Sequence, residues 1–341
     1  MSELAQIVAR LAGHRVVVLG DCMLDEYLIG RAVRLSREAP VPVLEQTHGF
    51  HLLGGACNPA HNVVALGSRA ALVGLIGDDE AGRRLVAAAE QVGVATDGLV
   101  VDPSRPTTTK TRLVAESALR VPQHLARLDR LDRRPPDPPL AEALARRLEA
   151  LVAAAQAVIV SHYQCGVVTP ALADRARQAA RQHGALITAD AQADLERFAG
   201  YDLVKCNRAE AEAALGFPLV SDADFERGLT RLAARLGVGA LVVTRGAEGM
   251  SLWQQGRPVV HSAALRVSDI YDVVGAGDTV VAVLTLALAG GLSLVTAAHL
   301  ANAAAGLVVR RLGNAVVSPD ELVAALAEDG RLAAADLEAR T

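Results

Sequence analysis

The stretch Tyr271-Asp272-Val273-Val274-Gly275-Ala276-Gly277-Asp278-Thr279 sets small residues and an acid directly before an apolar helical run, Val280 to Leu288. Small residues at a loop-to-helix junction let an anion approach free backbone N–H groups, where the helix dipole favours negative charge. A carboxylate beside such a hole can take the proton of an attacking hydroxyl while the amides stabilise charge developing on a phosphoryl group. Asp278 is therefore the candidate base, and Gly275, Ala276 and Gly277 the candidate anion hole. Taken alone, the stretch reads equally as a tight turn followed by a charge at a helix start. It lacks the Gly-Lys-Ser/Thr of a P-loop, and it lies too late in the chain for a dinucleotide fingerprint.

Its company is at the other end of the chain. Gly20-Asp21-Cys22-Met23-Leu24-Asp25 follows the first apolar run, and Gly54-Gly55-Ala56-Cys57-Asn58 opens a helical stretch to about Ala65. Two carboxylates at a strand end and a Gly-Gly turn with an adjacent amide suit a polyol, which offers several hydroxyls in fixed geometry. Asp21, Asp25, Gly54, Gly55 and Asn58 are the candidate sugar site, although Asp21 reads as well as a helix cap and Gly54-Gly55 as a turn.

Short apolar, β-branched runs position these residues: 16–19, 71–75, 157–160, 186–188 and 240–243, alternating with longer Ala/Leu/Arg stretches of helical period. Runs that are apolar throughout fit strands covered on both faces, which predicts a mostly parallel central sheet between helix layers, an α/β fold in one domain over 1–341. Residues 27–52 and 107–131 break the rhythm with mixed polar and β-branched character and are predicted to form a small β-strand lid. Arg133-Arg134-Pro135-Pro136-Asp137-Pro138-Pro139 is read as a stiff turn outside any helix.

Composition narrows the classes. With 34 basic and 38 acidic residues spread along 341, no whole-protein field is available for nucleic acid or an anionic membrane. Cys22, Cys57, Cys165 and Cys206 form no C-x-x-C pair, which predicts buried thiols in a reducing compartment. No apolar stretch reaches membrane-spanning length and Ser2-Glu3-Leu4 reads as a helix start, so a cytoplasmic protein is expected. Unpaired lid edges predict a homodimer through strand pairing.

Gly54-Gly55-Ala56-Cys57-Asn58, Asn207-Arg208-Ala209-Glu210, Thr244-Arg245-Gly246 and Asp272-x-x-Gly-Ala-Gly-Asp278 occur in the order seen in the ribokinase-like carbohydrate kinases, the phosphofructokinase B family. The resemblance spans about residues 14–326 and implies an α/β/α sandwich with a β lid, ATP as donor, and Asp278 as base. It implies that Asn207, Thr244, Gly246 and Asn302 line the nucleotide site, that Glu210 serves Mg2+, and that a monovalent cation, K+, could bind near Asp272.

Within the family, Gly20-Asp21-x-Met23-Leu24-Asp25-x-Tyr27, Arg34-x-Ser36-x-Glu38-Ala39-Pro40-Val41-Pro42-Val43 and Ala301-Asn302-Ala303-Ala304-Ala305-Gly306 resemble the heptose 7-phosphate kinases. That likeness implies transfer to C1 of a sugar phosphate, with lid residues Arg34 and Lys110 on its phosphate; Arg112 is expected to be a solvated charge. Two stretches depart from the pattern. Ser161-His162-Tyr163-Gln164-Cys165-Gly166 stands where those kinases read Ser-Asp-Tyr-x-Lys-Gly, and Asp190-Ala191-Gln192 where they read Asp-Pro-Lys. Two lysine charges are thus missing and His162 is expected to invert a hydroxyl contact, which keeps open another sugar, a nucleoside, or a non-catalytic sugar-phosphate sensor.

Overall fold

The computed structural model describes residues 2–117, 120–265 and 272–330; Tyr271 of the C-terminal motif and residues 118–119 of the expected lid lie outside them. Helix α1 (Glu3–Ala9), capped by Ser2, leads into β1 (Arg15–Gly20). A long hairpin follows, β2 (Cys22–Leu35) and β3 (Pro42–Gly55), and then α2 (Cys57–Ala65), β4 (Arg69–Ile76), α3 (Glu80–Gln91) and β5 (Ala95–Val101). After β6 (Thr109–Ser117) and β7 (Arg120–Arg130) come α4 (Pro138–Val152), β8 (Ala157–His162), α5 (Pro170–His183), β9 (Leu186–Ala191) and β10 (Leu203–Asn207). The chain continues through α6 (Arg208–Leu215), α7 (Asp222–Leu236), β11 (Ala240–Thr244), β12 (Met250–Gln254), β13 (Val260–Ser262), α8 (Ala276–Ala289), α9 (Leu294–Val308) and α10 (Pro319–Asp329).

Nine strands form one sheet in the order β13-β12-β11-β10-β9-β8-β1-β4-β5, parallel from β11 to β5, with β12 and β13 added antiparallel at one edge. All five apolar runs read as strands lie in it. Their side chains alternate between two cores, Val16 and Val18 on one face and Val17 and Leu19 on the other, because successive Cβ atoms point to opposite faces. Helices α8 and α9 belong to the first face, α4, α5 and α7 to the second. The result is a mostly parallel α/β sandwich with helices on both faces. Among the described residues no helix is long and apolar enough to cross a membrane.

Strands β3-β2-β6-β7 form a separate four-stranded sheet from the two segments expected to leave the main sheet. Its small core is Tyr27, Ile29 and Val114, with Phe50 stacked 4.8 Å from Tyr27. The hairpin starts earlier than predicted, so Asp25 sits on a strand of this sheet and not in a loop after β1. The proline turn is also corrected: Pro138 and Pro139 occupy the first turn of α4, where a missing N–H costs nothing and φ is already helical. All four cysteines are free and buried.

Candidate active site

Helix α8 starts at Ala276 after Gly275, whose φ of +79° is a left-handed conformation that glycine adopts without steric cost. A Cβ on Gly275 would stand 2.7 Å from Asn58 Nδ2 and 2.8 Å from Asn314 Oδ1, so two side chains crowd this one turn. Asn58 Nδ2 donates to Asp278 Oδ2 at 2.9 Å, and Asn314 Nδ2 donates to Asp25 Oδ2 at 2.6 Å. The turn thereby links the candidate base to the candidate sugar carboxylate. The Tyr163 hydroxyl donates to Asp278 Oδ1 at 2.8 Å, so both oxygens of the base are held. Burial, and then the Asp190 carboxylate, push Asp278 up to about 7 against the lowering hydrogen bonds of Asn58 and Tyr163. A carboxylate with that value can accept a proton near neutral pH.

Asn58 is oriented in turn. Asn62, one helical turn on, donates to Asn58 Oδ1 at 3.1 Å and accepts from Thr279 Oγ1 at 3.0 Å. The i, i+4 spacing on α2 puts both amides on the face that meets α8. Asn58 was expected to bind sugar; the structure engages it with the base.

Asp21 also departs from the expected sugar ligand. Its two oxygens accept from the backbone amides of Tyr163 at 2.7 Å, Cys165 at 3.2 Å and Val167 at 3.1 Å. The carboxylate is thus committed to folding the loop that carries Tyr163 to Asp278. Gly55, at φ +53°, turns against Asp21: a Cβ there would meet the Asp21 carbonyl at 2.2 Å. A Cβ on Gly54 would stand 2.8 Å from Asp25 Cγ, so this glycine makes room for that carboxylate.

Arg112 is not the solvated charge expected from sequence. It is buried, its Nη1 lies 3.0 Å from Asp25 Oδ1, and its guanidinium covers the Tyr27 ring at 5.2 Å. The N–H is not aligned for a hydrogen bond, so charge holds the pair. Lys110, in register with Asp25, lies over the ring of Tyr163 at 4.9 Å. Arg34 does not join them: nine residues further along β2, roughly 30 Å at the rise of a strand, it is exposed and, among the described residues, bonds only to Leu35 O.

His162 does not face the sugar site. Strand alternation turns it to the opposite core, where its Nε2 accepts from Arg197 at 2.9 Å, its ring meets Phe198 edge-on at 5.7 Å, and burial lowers its pKa. Cys165 is buried, and burial pushes its thiol up to about 11.

A cavity of about 560 Å³ opens beside the start of α8, lined by Thr244, Gly246, Met250, Gly277, Asn302 and Gly306 among others. Thr244, Gly246 and Asn302, expected at a nucleotide, therefore come together. The Asn302 amide donates to Ser262 O, Ser262 Oγ and Ala263 O, which ties α9 to β13 at the cavity wall. Asn207 and Glu210 form a reciprocal capping box at the start of α6: Asn207 Oδ1 accepts from Glu210 N at 2.9 Å, and Glu210 Oε2 from Asn207 N at 2.6 Å. Asp272 is tied to its loop, Oδ1 accepting from Val274 N and Oδ2 from Gly313 N, each at 3.0 Å.

Sequence reasoning passed over Tyr163, Asn62, Asn314, Asp190 and Lys205. Lys205 carried a legible signal, a lysine inside the apolar strand Leu203-Val204-Lys205-Cys206; the structure buries it against Asp190, with Nζ 2.8 Å and 3.0 Å from the two carboxylate oxygens.

Residues 14–321 match the pfkB family of carbohydrate kinases. The bifunctional protein HldE of Caulobacter vibrioides is 42% identical over 341 residues, covering 98% of this chain and 69% of that protein. HldE of Geobacter sulfurreducens is 39% identical over 321 residues, 94% of this chain and 64% of its own length, so this chain spans about two thirds of these relatives. The structure of Arabidopsis thaliana ribokinase complexed with ribose and ATP superposes with a TM-score of 0.71 at 18% identity, covering 94% of this chain and 100% of that one. The chain belongs to the pfkB family of carbohydrate kinases and is an ATP-dependent sugar kinase.

Proposed function

We propose that the chain transfers the γ-phosphoryl group of ATP to the C1 hydroxyl of a sugar phosphate, heptose 7-phosphate, with Asp278 as base. The observation that carries the chemistry is Asp278 itself: buried at the start of α8, held by Asn58 and Tyr163, and raised to about 7. The sugar assignment is supported by the 42% identity to a protein named HldE and by the Ser36-x-Glu38-Ala39-Pro40-Val41-Pro42 stretch.

The attacking hydroxyl oxygen forms its bond to the γ-phosphorus, the bond from that phosphorus to the β,γ-bridging oxygen breaks, and ADP leaves with the electron pair. The hydroxyl proton passes to Asp278, and the amides of Gly275 and Gly277 are proposed to meet the charge on the transferred group, the Ala276 amide donating to Val273 O. Asp25, fixed by Arg112 and Asn314, holds sugar hydroxyls, and Lys110 faces the phosphate of the acceptor. Thr244, Gly246 and Asn302 line the nucleotide cavity.

Among the described residues no three metal-ligating side chains cluster. Mg2+ keeps several waters and takes one or two carboxylates plus phosphates, so it needs no such cluster. Glu210, at the helix start that it shares with Asn207, is the carboxylate we assign to the ion, which would supply charge neutralisation on the phosphates when bound. K+ near Asp272 and a homodimer through the small sheet belong to the same proposal.

The test is a coupled ADP-release screen over heptose 7-phosphate, fructose phosphates, ribose and nucleosides. Turnover fastest with heptose 7-phosphate is expected; faster turnover with another acceptor replaces the sugar assignment, and none with any acceptor leaves a sugar-phosphate sensor. D278N should lower turnover at least a thousandfold, and unchanged turnover would remove Asp278 as base.

A further inference from the structure

Arg127, Arg130, Arg133 and Arg134 follow one another through the end of β7 and the segment before α4. Three of them have a carboxylate: Arg127 lies 2.8 Å from Asp129, Arg130 3.6 Å from Asp79 and Arg134 2.5 Å from Asp132. Arg133 is exposed and has no ion pair among the described residues. An exposed arginine is ordinarily a solvated charge, but the backbone under this one is fixed. Arg105, paired with Asp102 at 2.6 Å, donates to Arg134 O at 2.9 Å and to Pro135 O at 3.3 Å. On the other side Gly166, at φ +89°, packs so closely that a Cβ there would stand 2.7 Å from Arg133 O and 2.4 Å from Arg134 O. Gly166 closes the 163–166 loop, whose Tyr163 hydroxyl holds the base. Lys110 lies over the ring of the same Tyr163. The residue across from Lys110 on β7 is Asp129, whose two oxygens already accept from Arg127 at 2.8 Å and 3.0 Å. Burial, and then Asp21, raise the Cys165 thiol while Lys110 and Arg133 draw it down, so both cations act on the same point of this loop.

We propose that Arg133 joins Lys110 in binding the phosphate at the far end of the acceptor, and so selects a sugar phosphate over the free sugar. One end of the 163–166 loop meets the base and the other meets the backbone of Arg133. An acceptor with its attacked hydroxyl at Asp278 and its phosphate at the opposite end lies along that loop. The planar guanidinium donates to two phosphate oxygens and the Lys110 ammonium to the third; no bond is made or broken there, and the hydroxyl proton still goes to Asp278. Cys165 stands in the loop where Ser-Asp-Tyr-x-Lys-Gly has its lysine, so in this chain the second cation arrives from the segment seated on Gly166. Exposure lets Arg133 stay hydrated while the acceptor is absent, and its neighbours' carboxylates are engaged by Arg127, Arg130 and Arg134.

This rests on the sugar-phosphate kinase reading, and a charge series at one exposed position separates the two. The coupled assay is run on wild type, R133K, R133Q and R133E with the sugar phosphate turned over fastest, heptose 7-phosphate if that assignment holds, and with the same sugar lacking its phosphate. R133Q should raise KM for the sugar phosphate about 10-fold, the effect of one charge-assisted contact, with kcat little changed. R133K should stay near wild type and R133E should exceed R133Q, while kcat/KM for the free sugar stays constant through the series. A sugar-phosphate KM equal to wild type in R133Q and R133E would overturn the proposal and leave Arg133 a solvated charge. Equal losses for the phosphorylated and the free sugar would also overturn it, because Arg133 would then serve the fold of the loop. If wild type turns over no acceptor, calorimetric titration of heptose 7-phosphate decides: weaker binding to R133Q keeps Arg133 on the phosphate and removes the kinase reading, and equal binding removes both. A wild type that prefers an unphosphorylated acceptor to every sugar phosphate ends the sugar-phosphate reading and this assignment with it.

Discussion

Asp278 combines three environments: burial, two hydrogen bonds that favour its ionised form, and a second carboxylate nearby that opposes it. The outcome, about 7, sets the expected pH dependence. Below that value kcat/KM should rise tenfold per pH unit as the base loses its proton, and level off above it. Y163F removes a lowering hydrogen bond, so the limb should move to higher pH; an unmoved limb in a folded Y163F would detach the tyrosine from the base. The same value has a cost in stability. A carboxyl whose folded pKa lies above its ordinary value of about 4 binds its proton more tightly when folded, so stability falls as pH rises from about 4 to about 7. D278N lacks this liability, and its Tyr163 partner can rotate to accept. Its urea midpoint should exceed that of wild type at pH 8 and converge with it near pH 4.

At the scale of elements, the turn before α8 and the start of β2 are where packing and chemistry meet. G275A would force an alanine to φ +79° and push a methyl against Asn58 and Asn314. The backbone part costs about 1–2 kcal/mol, but displacing Asn58 also releases the base. Activity should therefore fall far more than the melting temperature indicates, and equal losses in a thermal melt and the coupled assay would contradict this. R112M leaves the Asp25 carboxylate buried with only Asn314 to serve it among the described residues. Loss of about 3–5 kcal/mol in urea unfolding is expected; a loss below 1 kcal/mol would show that the pair is not maintained in solution.

Over the whole molecule, the site lies where strand ends of the nine-stranded sheet meet Asp25, Lys110 and Arg112 of the four-stranded sheet, whose edges are β3 and β7. Leu128, on edge strand β7, and Leu35, at the far end of inner strand β2, are each 69% exposed. Apolar exposure beside unpaired edges is the physical basis for the proposed dimer. Light scattering should give twice the chain mass of 35.5 kDa, and L35E/L128K should shift it to one chain mass. A wild-type monomer at micromolar concentration would end that proposal.

The parallel strands, the departing segments and the acid at the start of α8 were all legible in sequence, because each depends on chemistry local to a few residues. Apolar runs mark strands covered on both faces, and small residues before a helix mark exposed amides whatever surrounds them. Facing relations were not legible. Strand alternation turns His162 to Arg197 and Phe198, away from the sugar site; the β2–β6 register sets Arg112 on Asp25; the β9–β10 pairing carries Lys205 to Asp190 and beneath Gly277. Asn58 and Asn314, 256 residues apart in the chain, meet only because α2 and the loop after α9 close on the same turn. Sequence alone determined that small residues and an acid stand at a helix start here, the pattern from which an anion hole and a base are proposed. Which charges surround it depends on register and strand order, and those are properties of the folded chain.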